Sequence, residues 1–227
     1  MSENFNIYLK RNFEVKETIN FLDKVYKIYK GKLFLPESVR MDGKEYFLED
    51  KSFEMIQNKL DEKICIIHIE FKSINSRLYI HFKVYDLNKK SFEDEYRVHF
   101  SLPFNIRFDK EQLNEMIDFA IDLMEAQKED LFVGGREIAS FEYAEPWVWV
   151  IGYKEKNKLL YYLKNHIKYH FKLELTTNKI EKILQKTAKV EKINGVNILF
   201  LADLDRWKKD PDNYKIEFYQ ELKKLKK

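Results

Sequence analysis

Hydrophobic and polar residues alternate along three neighbouring stretches of the chain, and this alternation predicts a three-stranded antiparallel meander. The predicted strands are Ile64–Lys72, Arg77–Asp86 and Glu95–Leu102. Because side chains of a strand alternate between its two faces, one face of this sheet is predicted to be apolar. Its residues are Cys65, Ile67, Ile69, Phe71, Leu78, Ile80, Phe82, Val84, Tyr96, Val98, Phe100 and Leu102. We expect a hydrophobic core against this face.

Apolar residues recur at helical spacing in several other stretches. The main predicted helices are Glu14–Lys30, Lys110–Glu125, about Asn157–Phe171, Thr177–Gln185 and about Asp212–Leu225. The second has the clearest apolar stripe, which consists of Leu113, Met116, Ile117, Ala120, Ile121 and Met124. Residues three and four apart share one side of a helix, so we expect each helix to pack that side against a core.

A second strand-rich region lies in the last third of the chain. Trp147–Tyr153 reads as a strand, and Ala188–Ile193 with Val196–Leu201 reads as a hairpin closed by Asn194-Gly195. Asn-Gly suits the tight type I′ turn that joins two antiparallel strands. Helices and antiparallel strands in separate runs predict an α+β fold, in which the antiparallel meander sheet packs against amphipathic helices.

The pair Gly134-Gly135 is the candidate boundary between two lobes. It would divide the chain into an N-terminal α+β lobe, residues 1–133, which contains the meander, and a C-terminal α+β lobe, residues 136–227. No long linker accompanies these glycines, so a single domain is the alternative. A chain of 227 residues can form one large domain or two small ones.

Composition and charge narrow the classes of protein to consider. The net charge is only +3 although 35% of residues are charged, so no broad positive field favours nucleic-acid binding. A lone cysteine, Cys65, excludes an intrachain disulfide and indicates a reducing compartment. The first residues show no signal-peptide pattern, and the apolar runs are shorter than a membrane span. We expect a soluble cytoplasmic protein with no membrane contact.

Three of the histidines fall on the polar face of the predicted meander. His68 would lie opposite His81 if Lys72 pairs with Arg77, and His99 would lie beside His81 or one pair further along. Three imidazoles can hold Zn²⁺ and leave a position for water, with Glu70 nearby as a base. The competing interpretation is a polar sheet face that happens to contain histidines, and it is preferred.

Two further patterns have a chemical and a structural interpretation. His166 and His170 share a helix face, but Ile167 stands where a zinc protease of the H-E-x-x-H pattern has its glutamate, so a structural or surface role is expected. Asp203 and Asp205 follow an apolar strand and could hold Mg²⁺ for a transferase or hydrolase. Two acidic residues in a polar loop that enters a helix are the preferred interpretation.

The three tryptophans are candidates for either the core or an interface. Trp147 and Trp149 share one face of a strand whose other face is also apolar. That pattern indicates burial on both sides or an exposed aromatic patch, and core packing is the favoured role. Exposed aromatic residues contribute large contact area at interfaces with little loss of side-chain freedom, so Trp207 and the strand residue Tyr79 are candidates as well.

The last third of the chain resembles cytoplasmic immunity proteins of bacterial polymorphic-toxin systems. The resemblance lies in the segments Glu145–Gly152, Asp203–Trp207 and Asp210–Asp212, within residues 145–225. It implies an α+β protein that binds and neutralises a cognate toxin without doing chemistry. One departure is the charge: immunity proteins against basic nucleases are often acidic, whereas this chain is slightly basic.

We therefore expect a non-catalytic binding protein that needs no cofactor. The resemblance implies that its partner is a toxin domain. The candidate anchors are Trp147, Trp149, Trp207, Tyr79, Asp203 and Asp205. The alternative is a metal-dependent hydrolase or transferase that uses His68, His81 and His99, or the two aspartates.

Overall fold

A computed structural model describes residues 3–9, 38–41, 44–47, 66–72, 77–83, 98–104, 110–126, 128–136, 147–210 and 213–226. The chain divides into two compact units. The first contains Met1–Phe104 and Asp122–Glu129, and the second contains Asn105–Ile121 and Asp130–Lys227. The predicted helix Glu14–Lys30 lies outside the described residues.

The described strands of the first unit form an antiparallel sheet. Its strands are β1 (Glu3–Leu9), β2 (Ser38–Met41), β3 (Lys44–Phe47), β4 (Ile66–Lys72), β5 (Arg77–Lys83) and β6 (Val98–Phe104). They lie in the order β3-β2-β4-β5-β6-β1. The predicted meander is therefore confirmed as β4, β5 and β6, and Lys72 pairs with Arg77, the condition on which the predicted His68–His81 pairing depended.

The second unit contains a four-stranded antiparallel sheet. Its strands are β7 (Leu131–Arg136), β8 (Trp147–Tyr153), β9 (Lys189–Ile193) and β10 (Val196–Phe200). They lie in the order β7-β8-β10-β9, so β9 forms one edge. On that edge strand, the side chains of Lys189, Val190 and Lys192 are exposed.

Five helices are described. They are α1 (Lys110–Ala126), α2 (Lys156–Phe171), α3 (Thr177–Thr187), α4 (Leu204–Lys209) and α5 (Glu217–Lys224). Side-chain caps begin two of them, because Thr176 accepts a hydrogen bond from the Lys179 amide and Asp203 accepts one from the Arg206 amide. Helix α2 ends at Phe171, and the capping residue that follows it, Lys172, has a φ of 57° in the left-handed region. None of these helices has the length and apolar character needed to cross a membrane.

The apolar stripe predicted for α1 is buried, and the second unit shows the α+β architecture expected from the sequence. Strand β8 supplies Val148, Trp149, Val150 and Ile151 to the core, and β10 supplies Val196, Ile198 and Leu199. Helices α2 and α5 add further buried side chains, namely Leu159, Leu160, Tyr162, Leu163, Ile167, Phe171, Phe218, Tyr219 and Leu222.

The hairpin predicted at Asn194-Gly195 joins β9 to β10. Asn194 has a φ of 47° and Gly195 a φ of 85°, which are the left-handed conformations that a type I′ turn requires. The Asn194 amide also donates a hydrogen bond to the Asp118 carboxylate of α1, 3.0 Å away. The turn is thus fixed both by its own backbone and by a helix more than 70 residues earlier.

Two local expectations differ from the structure. Gly134 and Gly135 do not break the chain, because both lie inside β7, where the pairing with β8 shifts register between them. The division into lobes at residues 133 and 136 stays a prediction. The final helix begins at Glu217 rather than near Asp212, since Asn213–Ile216 is not helical and Tyr214 and Ile216 are buried there.

Gly152 lies directly opposite Phe132 in the β7–β8 pair, and the aromatic ring occupies the space that a side chain at position 152 would need. We expect Gly152→Ala to destabilise the second unit by about 1–3 kcal/mol, as overpacking of a core usually does. Urea unfolding of the wild type and the variant measures this. The control is the double variant Gly152→Ala/Phe132→Leu, which should be more stable than the sum of the single effects; strict additivity would contradict a direct clash.

Candidate binding site

A cleft with a volume of about 420 Å³ lies in the second unit. Its walls come from the end of β10 and the start of α4, from the α3–β9 connection, and from one turn of α1. The buried side chains on its floor are Leu113, Trp149, Val150, Leu201 and Tyr214. An apolar floor of this kind is typical of a binding site for a side chain or a small molecule.

Charged residues of both signs surround this floor. They are Lys186, Lys189, Glu191, Asp203, Asp205, Arg206 and Glu217. Three of these seven residues are basic and four are acidic, so the cleft has no strong net charge of either sign. A polyanion such as nucleic acid would therefore gain little here, whereas a surface with its own mixture of charges could be matched.

Asp203 and Asp205 both lie at the cleft, as their position after a strand suggested, but the two differ in role. The Asp203 carboxylate accepts a hydrogen bond from the Arg206 amide at 3.0 Å and so caps α4. The Asp203 amide in turn donates to the hydroxyl of Tyr214. Asp205 is an exposed residue in the first turn of α4. Asp203 therefore has a structural task of its own, whereas Asp205 is exposed at the cleft.

An ion pair closes one side of the cleft. The Arg206 guanidinium donates a hydrogen bond to the Glu217 carboxylate at the start of α5. This bond, and the negative charge of Glu217, raise the pKa of Arg206. Burial raises the pKa of the Tyr214 hydroxyl. The Arg206–Glu217 ion pair thus joins α4 to the start of α5, and the hydrogen bond between Asp203 and Tyr214 joins the start of α4 to the segment between the two helices.

The tryptophans with described side chains belong to the core. Trp149 is 1% exposed and Trp207 is 2% exposed. Their ring centroids are 5.4 Å apart with an interplanar angle of 60°, an edge-to-face arrangement. Trp149 also reaches the cleft floor, but Trp207 does not line the cleft. A direct contact of Trp207 with a large partner would require the core to open, whereas Trp149 is reached through the cleft. The role of both residues as binding anchors stays a prediction.

Trp147 and Tyr79 are described through their backbones. Trp147 begins β8 and pairs with Arg136, and Tyr79 lies in β5 opposite Glu70 on one side and Ser101 on the other. Tyr79 belongs to the first unit and the cleft to the second. Their contribution to binding also stays a prediction.

The three candidate metal-binding histidines are brought to adjacent positions. His68 pairs with His81, and His81 pairs with His99 on its other side. The sequence left open whether His99 would lie beside His81 or one pair further on, and the register places it directly beside. Where side chains are described, no group of three or more histidine, cysteine or acidic residues could hold a metal ion.

His166 is a buried polar residue of the second unit that the sequence assigned to a structural or surface role. It is 3% exposed and lies between two tyrosines. The Tyr162 hydroxyl is 3.5 Å from Nδ1, and the Tyr219 hydroxyl is 3.4 Å from Nε2. Burial, and secondarily the neighbouring His170, lower the pKa of His166 from 6.5 to about 3. The imidazole is neutral at physiological pH and belongs to the core.

Sequence patterns identified the acidic side of the cleft but not its other walls. Lys186 and Lys189 come from the end of α3 and the start of β9, and Asn114 comes from α1. These residues belong to no shared motif, and only the tertiary fold brings them to one place. An exposed lysine at the end of an amphipathic helix carries no signal that separates it from other surface lysines.

No protein-family model matches the sequence, and no curated protein sequence matches it. Among solved structures, the chain is similar to the Pseudomonas aeruginosa T6SS protein PA0821, with 8% sequence identity and a TM-score of 0.44. The alignment covers 88% of this chain and 65% of that protein, so this chain spans about two thirds of its length.

Proposed function

We propose that this chain is a non-catalytic binding protein that neutralises a bacterial toxin domain by forming a tight complex with it. The cleft of the second unit is the observation that carries this proposal. A buried apolar floor surrounded by exposed charges of both signs is the arrangement that recognises a protein surface, since the apolar centre contributes affinity and the charged rim contributes specificity.

The groups around the cleft favour binding over chemistry. The Asp203 carboxylate is engaged in capping α4, and Arg206 and Glu217 neutralise each other. The buried histidine His166 is enclosed by tyrosines and does not line the cleft. A general acid or base must reach the proton that it transfers, and His166 does not meet this requirement at the cleft.

The assignment of a toxin as the partner rests on the resemblance of residues 145–225 to immunity proteins. The segments that carry this resemblance also build the cleft. Glu145–Gly152 includes Trp149 on the floor, and Asp203–Trp207 supplies the carboxylates of the rim. A complex made at this place would use the same residues that prompted the resemblance.

Co-purification tests the proposal at its first step. The chain, expressed in its source organism with a short affinity tag, should retain a partner encoded beside its own gene, and that partner alone should be toxic to the cell. Co-expression of the chain should relieve the toxicity. A chain that purifies alone, with no toxic neighbour, would count against the proposal, and metal-dependent hydrolysis by the purified chain would favour the enzyme alternative instead.

Substitution of Asp205 tests the cleft itself. We expect Asp205→Ala to weaken the complex by about 2 kcal/mol or more, the effect of losing an anchor residue, while the melting temperature stays nearly unchanged. Calorimetric titration of the purified partner measures the first quantity and thermal unfolding the second. Glu174→Ala is the matched control, because Glu174 is an exposed carboxylate that does not line the cleft. Equal affinities for the two variants would show that the partner binds elsewhere.

A further inference from the structure

The geometry points to a binding site for one divalent transition-metal ion, with zinc as the best match, at His68, His81 and His99 in the sheet of the first unit. The chain has five histidines in all. The sheet places three of them at successive pairing positions on β4, β5 and β6. These histidines are not among the residues that line the cleft, and the inference does not depend on the proposed function.

The register puts the three histidines in one row across the sheet. His68 is the direct partner of His81, and His81 is the direct partner of His99. Directly opposed residues of antiparallel strands share a face, and their Cα atoms are about 4.5–5.5 Å apart. The middle histidine therefore has an imidazole-bearing neighbour on each side, at the spacing of adjacent strands.

The same row continues beyond the histidines with polar residues. Arg40 of β2 is the partner of His68, and Tyr8 of β1 is the partner of His99. One residue along, the next row belongs to the opposite face and is apolar throughout: it contains Val39, Ile69, Ile80, Phe100 and Ile7. The histidines thus lie on the polar face of a sheet whose other face carries the hydrophobic residues.

The imidazole side chain is what makes this row a candidate for a metal ion. Neutral imidazoles are the form that binds a metal, and three of them make up the protein ligands of a zinc site that keeps a fourth position open. Glu70, two residues from His68 on the same strand, is placed on the same face.

The class of metal follows from the ligands. Imidazole nitrogen suits zinc, copper, nickel and iron, whereas magnesium and calcium take oxygen ligands. Three neutral nitrogen ligands are a common ligand set for zinc, which does not change its oxidation state in proteins. We therefore expect the site to bind Zn²⁺ and its spectroscopic substitute Co²⁺, and not Mg²⁺.

The test is metal titration of the full chain, purified without a histidine tag and stripped with a chelator. Zn²⁺ in competition with a chromogenic chelator should show one equivalent bound per chain. His81→Gln should weaken this binding by about 100-fold or more, since even loss of a residue that merely supports a zinc ligand costs 10–100-fold. His170→Gln is the control, because His170 lies on α2 in the second unit, and it should bind as the wild type does.

A second measurement uses the unmodified chain and so does not depend on the folding of a variant. Carbethoxylation of histidines, mapped by mass spectrometry, should fall at His68, His81 and His99 when Zn²⁺ is present and stay the same at His170. Absence of bound Zn²⁺ in the wild type, unchanged affinity in a folded His81→Gln variant, or no protection of these three residues would each overturn the inference.

Discussion

We expect Trp207→Ala to lower the free energy of unfolding of the second unit by about 3–5 kcal/mol, the usual cost of truncating a buried aromatic side chain to alanine. Trp207 is 2% exposed and packs edge-to-face against Trp149. Its removal would leave a cavity beside a second tryptophan, and both the lost burial and the cavity contribute to the cost. A loss of this size is a large fraction of the total, since native proteins are stable by only about 5–15 kcal/mol.

Chemical denaturation followed by tryptophan fluorescence and by circular dichroism measures this loss. Tyr161→Ala is the control: Tyr161 is also aromatic but 54% exposed, so its truncation should change stability by about 0.5 kcal/mol or less. Trp207 and Asp205 then form an informative pair, since they lie two residues apart in α4 and are expected to affect stability and binding separately. A stable Trp207→Ala variant with weakened binding would mean that the ring acts at the interface after all.

The second large effect concerns pH and arises from His166. The Tyr219 hydroxyl accepts a hydrogen bond from the Val148 amide at 3.0 Å and lies 3.4 Å from Nε2 of His166. The Tyr162 hydroxyl lies 3.5 Å from Nδ1, so each nitrogen of the neutral imidazole faces a hydroxyl, one nitrogen as donor and the other as acceptor. Protonation of His166 would disrupt this arrangement and place a charge in the core.

The direction of the effect follows from the two pKa values. His166 takes up a proton near pH 6.5 in the unfolded chain but only near pH 3 in the folded protein. Between these values the unfolded state binds more protons, so the free energy of unfolding is highest above pH 6.5 and falls as the pH is lowered. At pH 5 the loss from this residue is about 2 kcal/mol relative to pH 8. Burial and Lys172 also lower the pKa of His170, which adds a loss in the same direction.

Urea unfolding at pH 8, 7, 6 and 5 measures this dependence, and His166→Phe isolates it. The variant keeps an aromatic ring but cannot be protonated, so its stability should fall less between pH 8 and pH 5 than that of the wild type. His170→Phe provides the comparison for a histidine that is only partly buried. Parallel curves for the wild type and His166→Phe would show that His166 does not set the pH dependence.

Local sequence signals predicted much of the fold because they act over short distances. Strand alternation determined the meander, and the Lys72–Arg77 pairing followed from the length of the first turn. Asn194-Gly195 determined the second hairpin, since few other residue pairs adopt the two positive φ values found there. In each case the residues that carry the signal are also the residues that make the structure.

The expectations that differed depended on contacts distant in sequence. The final helix begins late because Tyr214 and Ile216 are buried in a non-helical segment, where the Tyr214 hydroxyl bonds the Asp203 amide. Gly134-Gly135 resembles a chain break in isolation but is accommodated within β7 by pairing with β8. Helical periodicity and glycine content contain no information about these tertiary contacts.

The candidate site could be predicted only in part, again because some of its residues are distant from one another in sequence. The aspartates of the cleft follow a strand in sequence and could be found from that pattern, whereas the lysines come from a separate helix and strand. The alternation around Trp147 and Trp149 allowed both burial and exposure. Only the packing against Trp207 shows that Trp149 belongs to the interior.

The edge strand β9 bears on whether folded molecules of this protein associate with one another. An edge presents backbone donors and acceptors that can pair with a strand of another molecule, and the exposed Val190 would favour such pairing. Lys189 and Lys192 are exposed on the same strand, and lysine on an edge discourages growth of a sheet between molecules. Conversion of both lysines to threonine would therefore promote aggregation of the folded protein, even though threonine suits a strand and the isolated molecule would lose little stability.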